Sequence, residues 1–167
     1  MKISVTNNDV LRRLRYTFDL SDEQMMKLFA FGEHRVTRAE VSSWLKKEEH
    51  QDVSPLSHRL LNAFLDGLII ECRGPSDRPL QKVDRLSNNE ILRKLRIALE
   101  LREDKMLEVM QLGGMPLSRP ELSALFRKPN HRHYRHCQDQ LLRHFLRGLQ
   151  EAYRPTDAGK AEKNHED

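Results

Sequence analysis

Apolar side chains recur at a helical period along most of the chain, and the same pattern occurs twice. Positions three and four residues apart line up on one side of a helix, so an apolar stripe at that spacing predicts an amphipathic helix. The first such stripe is Val10, Leu11, Leu14 and Phe18, and its counterpart in the second half is Ile91, Leu92, Leu95 and Leu99. The chain is therefore predicted to begin each half with the same helix.

The two halves align without a gap at an offset of 81 positions, which places Asn7 on Asn88. The clearest matches are 7–15 with 88–96, 37–42 with 118–123, and 60–68 with 141–149. Because the register never changes, every helix and loop must have the same length in both copies. We interpret the chain as a tandem duplication of one unit.

Each copy is predicted to contain four helices, of which three in the first copy and two in the second begin with a capping pair. A Ser or Thr placed three residues before an acidic residue or Gln satisfies the free amides of a first helical turn. The pairs are Thr6–Asp9, Ser21–Gln24 and Thr37–Glu40, with Ser87–Glu90 and Ser118–Glu121 in the second copy. The fourth helix, centred on 60–68 and 141–149, is the longest and most apolar.

Four glycines fall at matching places in the two copies. Gly32 and Gly113 follow the second helix of each copy, where we predict left-handed C-terminal caps. Gly67 and Gly148 lie inside the fourth helix, where we predict that they allow close helix packing.

These elements predict an all-α fold of two tandem four-helix repeats. The first repeat is assigned to 5–74, a Gly- and Pro-containing linker to 75–86, and the second repeat to 87–154. Residues 155–167 carry almost no apolar side chains and are predicted to be a disordered tail. One copy alone forms only a marginal core, so we expect the repeats to pack as a pseudo-two-fold pair.

The composition, 38% hydrophobic and 32% charged, is that of a helical protein with a large polar surface. No apolar run approaches the roughly 20 residues that cross a bilayer, and the N-terminus has no signal-peptide core. The two cysteines, Cys72 and Cys137, do not make a disulfide framework. These features predict a cytoplasmic protein without a membrane partner.

The doubled motifs resemble those of a known group of bacterial proteins. Both copies open with Asn-Asn-x-[Val/Ile]-Leu-Arg-x-Leu-Arg and close with Phe-Leu-x-Gly-Leu. Over residues 5–154 these motifs are similar to the YehS-like family of uncharacterised bacterial proteins. The resemblance implies a bacterial, cytoplasmic protein and carries over no site residues.

The net charge of +4 is placed unevenly along the chain. Residues 7–74 contain 10 Lys or Arg against 11 Asp or Glu, whereas residues 88–154 contain 13 against 8. A cationic surface that includes an aromatic side chain is typical of phosphate-backbone contact. We therefore take the second repeat as a candidate nucleic-acid surface, with RNA and DNA both open, as is the oligomeric state. Its candidate residues are Arg127, Lys128, Arg132, Tyr134, Arg135, Arg143 and Arg147.

The second and third helices of each repeat also resemble a helix-turn-helix reader. Arg38, Ser42 and Lys46 share one face, and Arg119, Ser123 and Arg127 repeat it in the second copy. Against this reading, the turn over 32–37 is longer than the usual three or four residues.

Two simpler interpretations of the basic residues stay open. The charge run can be an ordinary solvated face, or it can meet an acidic protein. The paired arginines of the first helix, Arg12 and Arg15 with Arg93 and Arg96, are expected to form ion pairs with acidic residues of neighbouring helices.

Catalytic, cofactor and metal motifs are not found. His131, His133 and His136 with Cys137 suggest a metal cluster only weakly, because the first copy lacks most of these residues. We expect no cofactor and no metal. The leading hypothesis is a non-enzymatic binding protein that contacts nucleic acid through the second repeat. The alternative is a protein–protein adaptor that uses grooves between the repeats, and an enzyme of unrecognised type also stays open.

Overall fold

The computed structural model describes residues 4–47 and 49–155, and within these ranges it contains eight α-helices and no strand. The all-α prediction is confirmed. The first repeat contains α1 (Asn7–Phe18), α2 (Asp22–Phe31), α3 (Arg38–Leu45) and α4 (His58–Arg73). The second contains α5 (Asn88–Leu99), α6 (Glu103–Leu112), α7 (Arg119–Leu125) and α8 (Asp139–Tyr153).

The predicted capping pairs start the helices as expected. Capping boxes are complete at α1, α2, α3, α5 and α7. In each, the side chain of the cap residue accepts a hydrogen bond from the backbone amide of the third helical residue, whose own side chain accepts one from the backbone amide of the cap residue. Arg102 stands where the first repeat has Ser21, and it makes no side-chain cap hydrogen bond to α6. Local sequence therefore decides where most of these helices begin.

The prediction of left-handed caps at Gly32 and Gly113 is wrong. Their φ angles are −80° and −76°, and the left-handed residues are the next ones, Glu33 at 68° and Gly114 at 88°. A Cβ at Gly32 would lie 1.9 Å from the carbonyl oxygen of Ala63. These two positions are glycine because another helix backbone lies against them, and not because of their own backbone angles.

Gly67 of α4 and Gly148 of α8 lie on the other side of these helix–helix contacts. A Cβ at Gly67 would lie 1.7 Å from the carbonyl oxygen of Leu28, and one at Gly148 would lie 2.0 Å from that of Val109. The prediction of close packing at these two positions is confirmed. In both repeats, the second and fourth helices cross nearly backbone to backbone.

A buried asparagine in each repeat holds the loop after the third helix. Asn8 donates to the carbonyl oxygens of Trp44 and Ser54 at 3.0 and 2.7 Å, and accepts from the amide of Leu56 at 2.9 Å. Asn89 repeats all three bonds in the second repeat. The sequence motif Asn-Asn is therefore a structural anchor, since buried backbone groups that lost these partners would be costly.

The repeats dock through two reciprocal contacts, α1 against α8 and α4 against α5. The amide of Val5 donates to Asp139, and the amide of Leu86 donates to His58 at the equivalent place. At the other end of these helices, Arg154 meets Asp19 and Arg73 meets Glu100. Each contact pairs helices that run in the same direction, and the predicted pseudo-two-fold arrangement is confirmed.

The buried side chains form one continuous core that includes residues of both repeats. Between α4 and α5 the chain runs from 74 to 87 without a helix, and Leu86 at its end is buried. The predicted tail, apart from residue 155, lies outside the described residues. None of the eight described helices is long and apolar enough to span a membrane.

Candidate anion-binding groove between the repeats

A groove of about 620 Å³ opens along the contact between α1 and α8. Helix α1 contributes Arg12, Arg13 and Tyr16, and α8 contributes Arg143. Lys47, from the loop after α3, adds a further cation. The carboxylates among its described lining residues are Asp9 and Glu49. We call this site the α1–α8 groove, and its described lining carries more positive than negative side chains.

The cations of the α1–α8 groove are held to different degrees. Arg12 is fixed, because it pairs with Asp9 of its own helix and donates to the carbonyl oxygen of Lys46 at 2.6 Å. Arg13 donates to the neutral Oε1 of Gln150 at 2.8 Å, so its charge is not compensated there. Lys47 and Arg143 are exposed, and among described residues no carboxylate oxygen lies within 4.0 Å of either.

The equivalent contact between α4 and α5 is built differently. Asp66 forms an ion pair with Lys94 at 2.5 Å, and the side chain of Asp66 is only 10% exposed. Asn62 is buried beside it and donates to Asp66 and to the carbonyl oxygen of Gln81. The alignment places Arg143 on Asn62 and Arg147 on Asp66. At these two positions α8 presents guanidinium groups where α4 presents an amide and a carboxylate.

The helix-turn-helix residues are largely engaged with their own repeat. Arg38 pairs with Glu23 at 2.5 Å, and Arg119 pairs with Asp104 at 2.6 Å and Glu103 at 3.3 Å. These carboxylates lie in the first turns of α2 and α6, so each arginine ties two helices together. Both arginines remain 60% exposed, but their charge is balanced locally.

Of the remaining residues of the two reading faces, Ser42 is exposed, and Lys46 lies 3.9 Å from Asp52. Arg127 lines a separate small cavity of about 270 Å³ together with Arg96 and Glu103.

The basic segment 127–136 is exposed except at Arg127 and Tyr134, which are partly buried. Arg135 lies 3.5 Å from Glu121, whereas Lys128 and Arg132 have no carboxylate oxygen within 4.0 Å among the residues described. No residue of this segment lines the α1–α8 groove. The residue of the first repeat that aligns with Lys128 is Lys47, and Lys47 does line it. The structure thus brings Arg143 together with cations of the first repeat, and not with the segment that precedes it.

Among the described residues, no carboxylate of a neighbouring helix forms the expected ion pair with an arginine of the first helices. Arg12 uses Asp9 of α1 itself, and Arg96 donates to the carbonyl oxygen of Leu101 at 3.0 Å. The guanidinium of Arg96 also lies 4.5 Å from the ring centre of Phe126. Arg15 and Arg93 are exposed. The aligned arginines therefore make different contacts in the two copies: Arg12 is paired where Arg93 is exposed, and Arg96 is bound where Arg15 is exposed.

Sequence reasoning missed Arg13, Lys47 and Tyr16 as members of a site. All three belong to the first repeat, whose charges nearly cancel, so a count of charge per repeat did not select them. A usable signal was present in the alignment, where an uncharged and an acidic position of α4 both become arginine in α8. That pair marks the face on which the two copies diverge.

The histidine and cysteine side chains near 131–137 do not form a metal-binding group. The rings of His131 and His133 are 5.8 Å apart, and no set of three His, Cys, Asp or Glu converges within the described parts of the chain. Burial, helped by the charge of Asp139, raises the pKa of the Cys137 thiol to about 12. Burial also raises the pKa of Cys72, with Glu71 adding to the effect. Neither cysteine has the lowered pKa of a reactive thiolate.

Comparison with known proteins agrees with this architecture. The family model described as "Protein of unknown function (DUF1456)" matches twice, over residues 7–74 and 88–154. The protein described as "Uncharacterized protein YehS" from Escherichia coli (strain K12) is 37% identical over 145 residues, which cover 86% of this chain and 93% of that protein. No solved structure matches the chain. With both repeats matched and a relative similar over nearly its whole length, the chain belongs to the DUF1456 family.

Proposed function

We propose that this protein is a cytoplasmic, non-enzymatic binding protein that contacts the phosphate backbone of nucleic acid through the α1–α8 groove. The observation that carries the proposal is the replacement of Asn62 and Asp66 of α4 by Arg143 and Arg147 in α8. At the equivalent face the first repeat neutralises a cation, whereas the second adds Arg143, which lines the groove, and Arg147, which is exposed directly after the lining residue Leu146. A cationic concave surface that spans two helices suits a linear polyanion.

The geometry favours backbone contact over base recognition in a major groove. Recognition helices place unpaired side chains against base edges. In α3 and α7 the arginines that would do so, Arg38 and Arg119, are already paired with carboxylates of the preceding helix. The cations of the α1–α8 groove come instead from α1, from α8 and from the loop after α3, and this spread over several elements supports contact with successive phosphates.

The test is equilibrium binding of fluorescently labelled DNA and RNA oligonucleotides at a series of salt concentrations. We expect log K to fall linearly with log[salt], with a slope of roughly 0.7 to 0.9 per phosphate contacted. Combining Arg143→Glu with Arg147→Glu should lower affinity at least about tenfold at moderate salt and reduce the slope. Circular dichroism checks that the variant is folded.

The matched control reverses two exposed cations of the linker, Arg78→Glu and Lys82→Glu. It produces the same change in net charge away from the α1–α8 groove and should retain most of the affinity. If both double variants weaken binding equally, attraction is a matter of overall charge and the groove is not the site. Absence of salt-dependent binding, with an unaffected protein partner recovered after nuclease treatment, would favour the adaptor function instead.

A further inference from the structure

We infer that the nucleic acid bound in the α1–α8 groove is single-stranded, and that one of its bases stacks on the ring of Tyr16. This inference rests on the proposed function and deepens it, because it names the strandedness of the ligand and a further contact. Sequence-tolerant single-strand binding combines a cationic groove with exposed aromatic rings on which bases stack. The α1–α8 groove contains both elements.

Tyr16 has the geometry of a stacking platform. It lines the groove and is 50% exposed. The guanidinium of Arg154 lies 3.9 Å from the centre of its ring and so covers one face. Arg154 also donates to the carbonyl oxygen of Tyr16 at 2.5 Å and lies 3.4 Å from Asp19. Arg154 thus packs on one face of the ring, while half of the surface of Tyr16 remains exposed to solvent.

The cations and the ring lie in sequence along the groove. Because α1 and α8 run in the same direction, Arg143 lies near the start of the contact and Arg154 near its end. Arg13 and Gln150 meet between them. The part of α1 from Asp9 to Tyr16 spans about 10 Å at 1.5 Å per residue. Phosphates at Arg143 and Arg13 would therefore lead one strand towards the ring of Tyr16.

A base can reach this ring only when it is unpaired. In a duplex the faces of the bases are stacked inside the helix, and the surface presents phosphates and base edges. An aromatic ring in the groove consequently adds affinity for a single strand and nothing for an uninterrupted duplex. The second repeat has Ile97 at the position of Tyr16, also exposed, at 46%. This isoleucine provides an internal control for an exposed apolar residue without an aromatic face.

The experiment compares three labelled probes against wild-type protein and variants. The probes are a single-stranded oligothymidylate of about 12 nucleotides, the corresponding duplex, and an abasic strand of equal length, which keeps phosphates but lacks bases. We expect Tyr16→Ala to weaken binding of the oligothymidylate roughly 5- to 100-fold, the fold-change for losing one stacked base. Binding of the abasic strand should change less than about twofold.

Further variants separate stacking from other effects of the substitution. Tyr16→Phe should retain most of the affinity, whereas Tyr16→Ile, which copies the second repeat, should behave like Tyr16→Ala. Ile97→Ala should leave binding of all three probes unchanged. Because the side chain of Tyr16 is half exposed, these variants are expected to fold, and thermal denaturation checks that they do.

The outcomes distinguish this inference from the proposed function. If Tyr16→Ala binds the oligothymidylate like wild type while the Arg143 and Arg147 reversal abolishes binding, the phosphate groove stands and the stacking inference is overturned. A wild-type preference for the duplex over the single strand would also overturn it. If no probe binds and an acidic peptide does, both proposals fail together.

Discussion

The two contacts between the repeats are related by the pseudo-two-fold axis, yet they differ in the charge and burial of their side chains. At the α4–α5 contact, Asp66 and Lys94 form an ion pair that is largely buried, and Asn62 is held beneath the linker. At the α1–α8 contact, Arg143 and Arg147 occupy the equivalent positions of α8 and remain exposed. The backbone framework is shared, and the difference lies in a few side chains.

Under the proposed function, this difference assigns stability to one contact between the repeats and binding to the other. A buried ion pair is costly to break, because removing one partner leaves the other charge without compensation. Both contacts dock the repeats, but among the described residues only the α4–α5 contact contains such a largely buried ion pair. Under the proposed function, the exposed cations of the α1–α8 contact meet an external anion.

The largest expected effect concerns the helix crossings that both repeats share. Gly67→Ala and Gly148→Ala should each lower the free energy of unfolding by about 3 kcal/mol or more, because the added Cβ collides with a helix backbone that cannot move independently. Urea denaturation measures both. Gln111→Ala, at an exposed position of α6, should stay within about 0.5 kcal/mol of wild type. Tolerance of either glycine substitution would contradict the crossing geometry.

A charge exchange between the two contacts should give opposite results. Asp66→Arg places a second cation against Lys94 in a mostly buried contact, and should destabilise the protein by roughly 3 kcal/mol. Arg147→Asp copies Asp66 onto α8, where it is expected to pair with Arg13. The gain should be below about 1 kcal/mol, since this face is exposed. Differential scanning calorimetry compares the two, and a similar change in both would mean that the contacts are not distinct.

The smallest effect on the protein is expected from chemical modification of its two cysteines. Cys72 lies in α4 of the first repeat, and Cys137 lies just before α8 in the second. Because burial raises the pKa of Cys137 to about 12, its thiol stays protonated at pH 8 in the native protein. Its contribution to stability is complete below pH 9.0, the value for an ordinary thiol, and declines as the pH rises from there towards 12. Alkylation at pH 8 should therefore modify exposed Cys72 and leave Cys137 intact.

In denaturant the two thiols should react at similar rates, and mass spectrometry of the digested protein identifies the modified residue. Rapid native labelling of Cys137 would mean that the loop held by Asn89 opens readily, against the hydrogen bonds that close it.

Much of the fold could be predicted from local patterns, because its signals are local. The capping pairs at Thr6, Thr37 and Ser118 start their helices as the sequence indicates, since each needs only residues within one turn. The left-handed cap that the sequence predicts at Gly32 is wrong, because the glycine there admits a neighbouring backbone. A glycine that permits a left-handed turn and one that admits a neighbouring backbone look alike in sequence, and only the position of Ala63 separates them.

The candidate site was predicted less well, because a site depends on what surrounds each charge. Arg38 and Arg119 lie on a regular helical face, but each is balanced by a carboxylate that lies 15 residues earlier in the chain. Arg143, a candidate from the charge count, lines the groove. Its companions in the groove come from the other repeat, which an analysis of charge per repeat could not indicate.

By itself, the sequence determined the duplication, the helices with their caps, and the substitutions that make α8 cationic where α4 is not. Each of these is encoded in spacing or in a residue-by-residue alignment. The tertiary structure alone decided which cations are neutralised and which converge, because charges distant in the chain interact only once the helices have docked. The α1–α8 groove is a product of that docking, formed by a helix from each end of the chain.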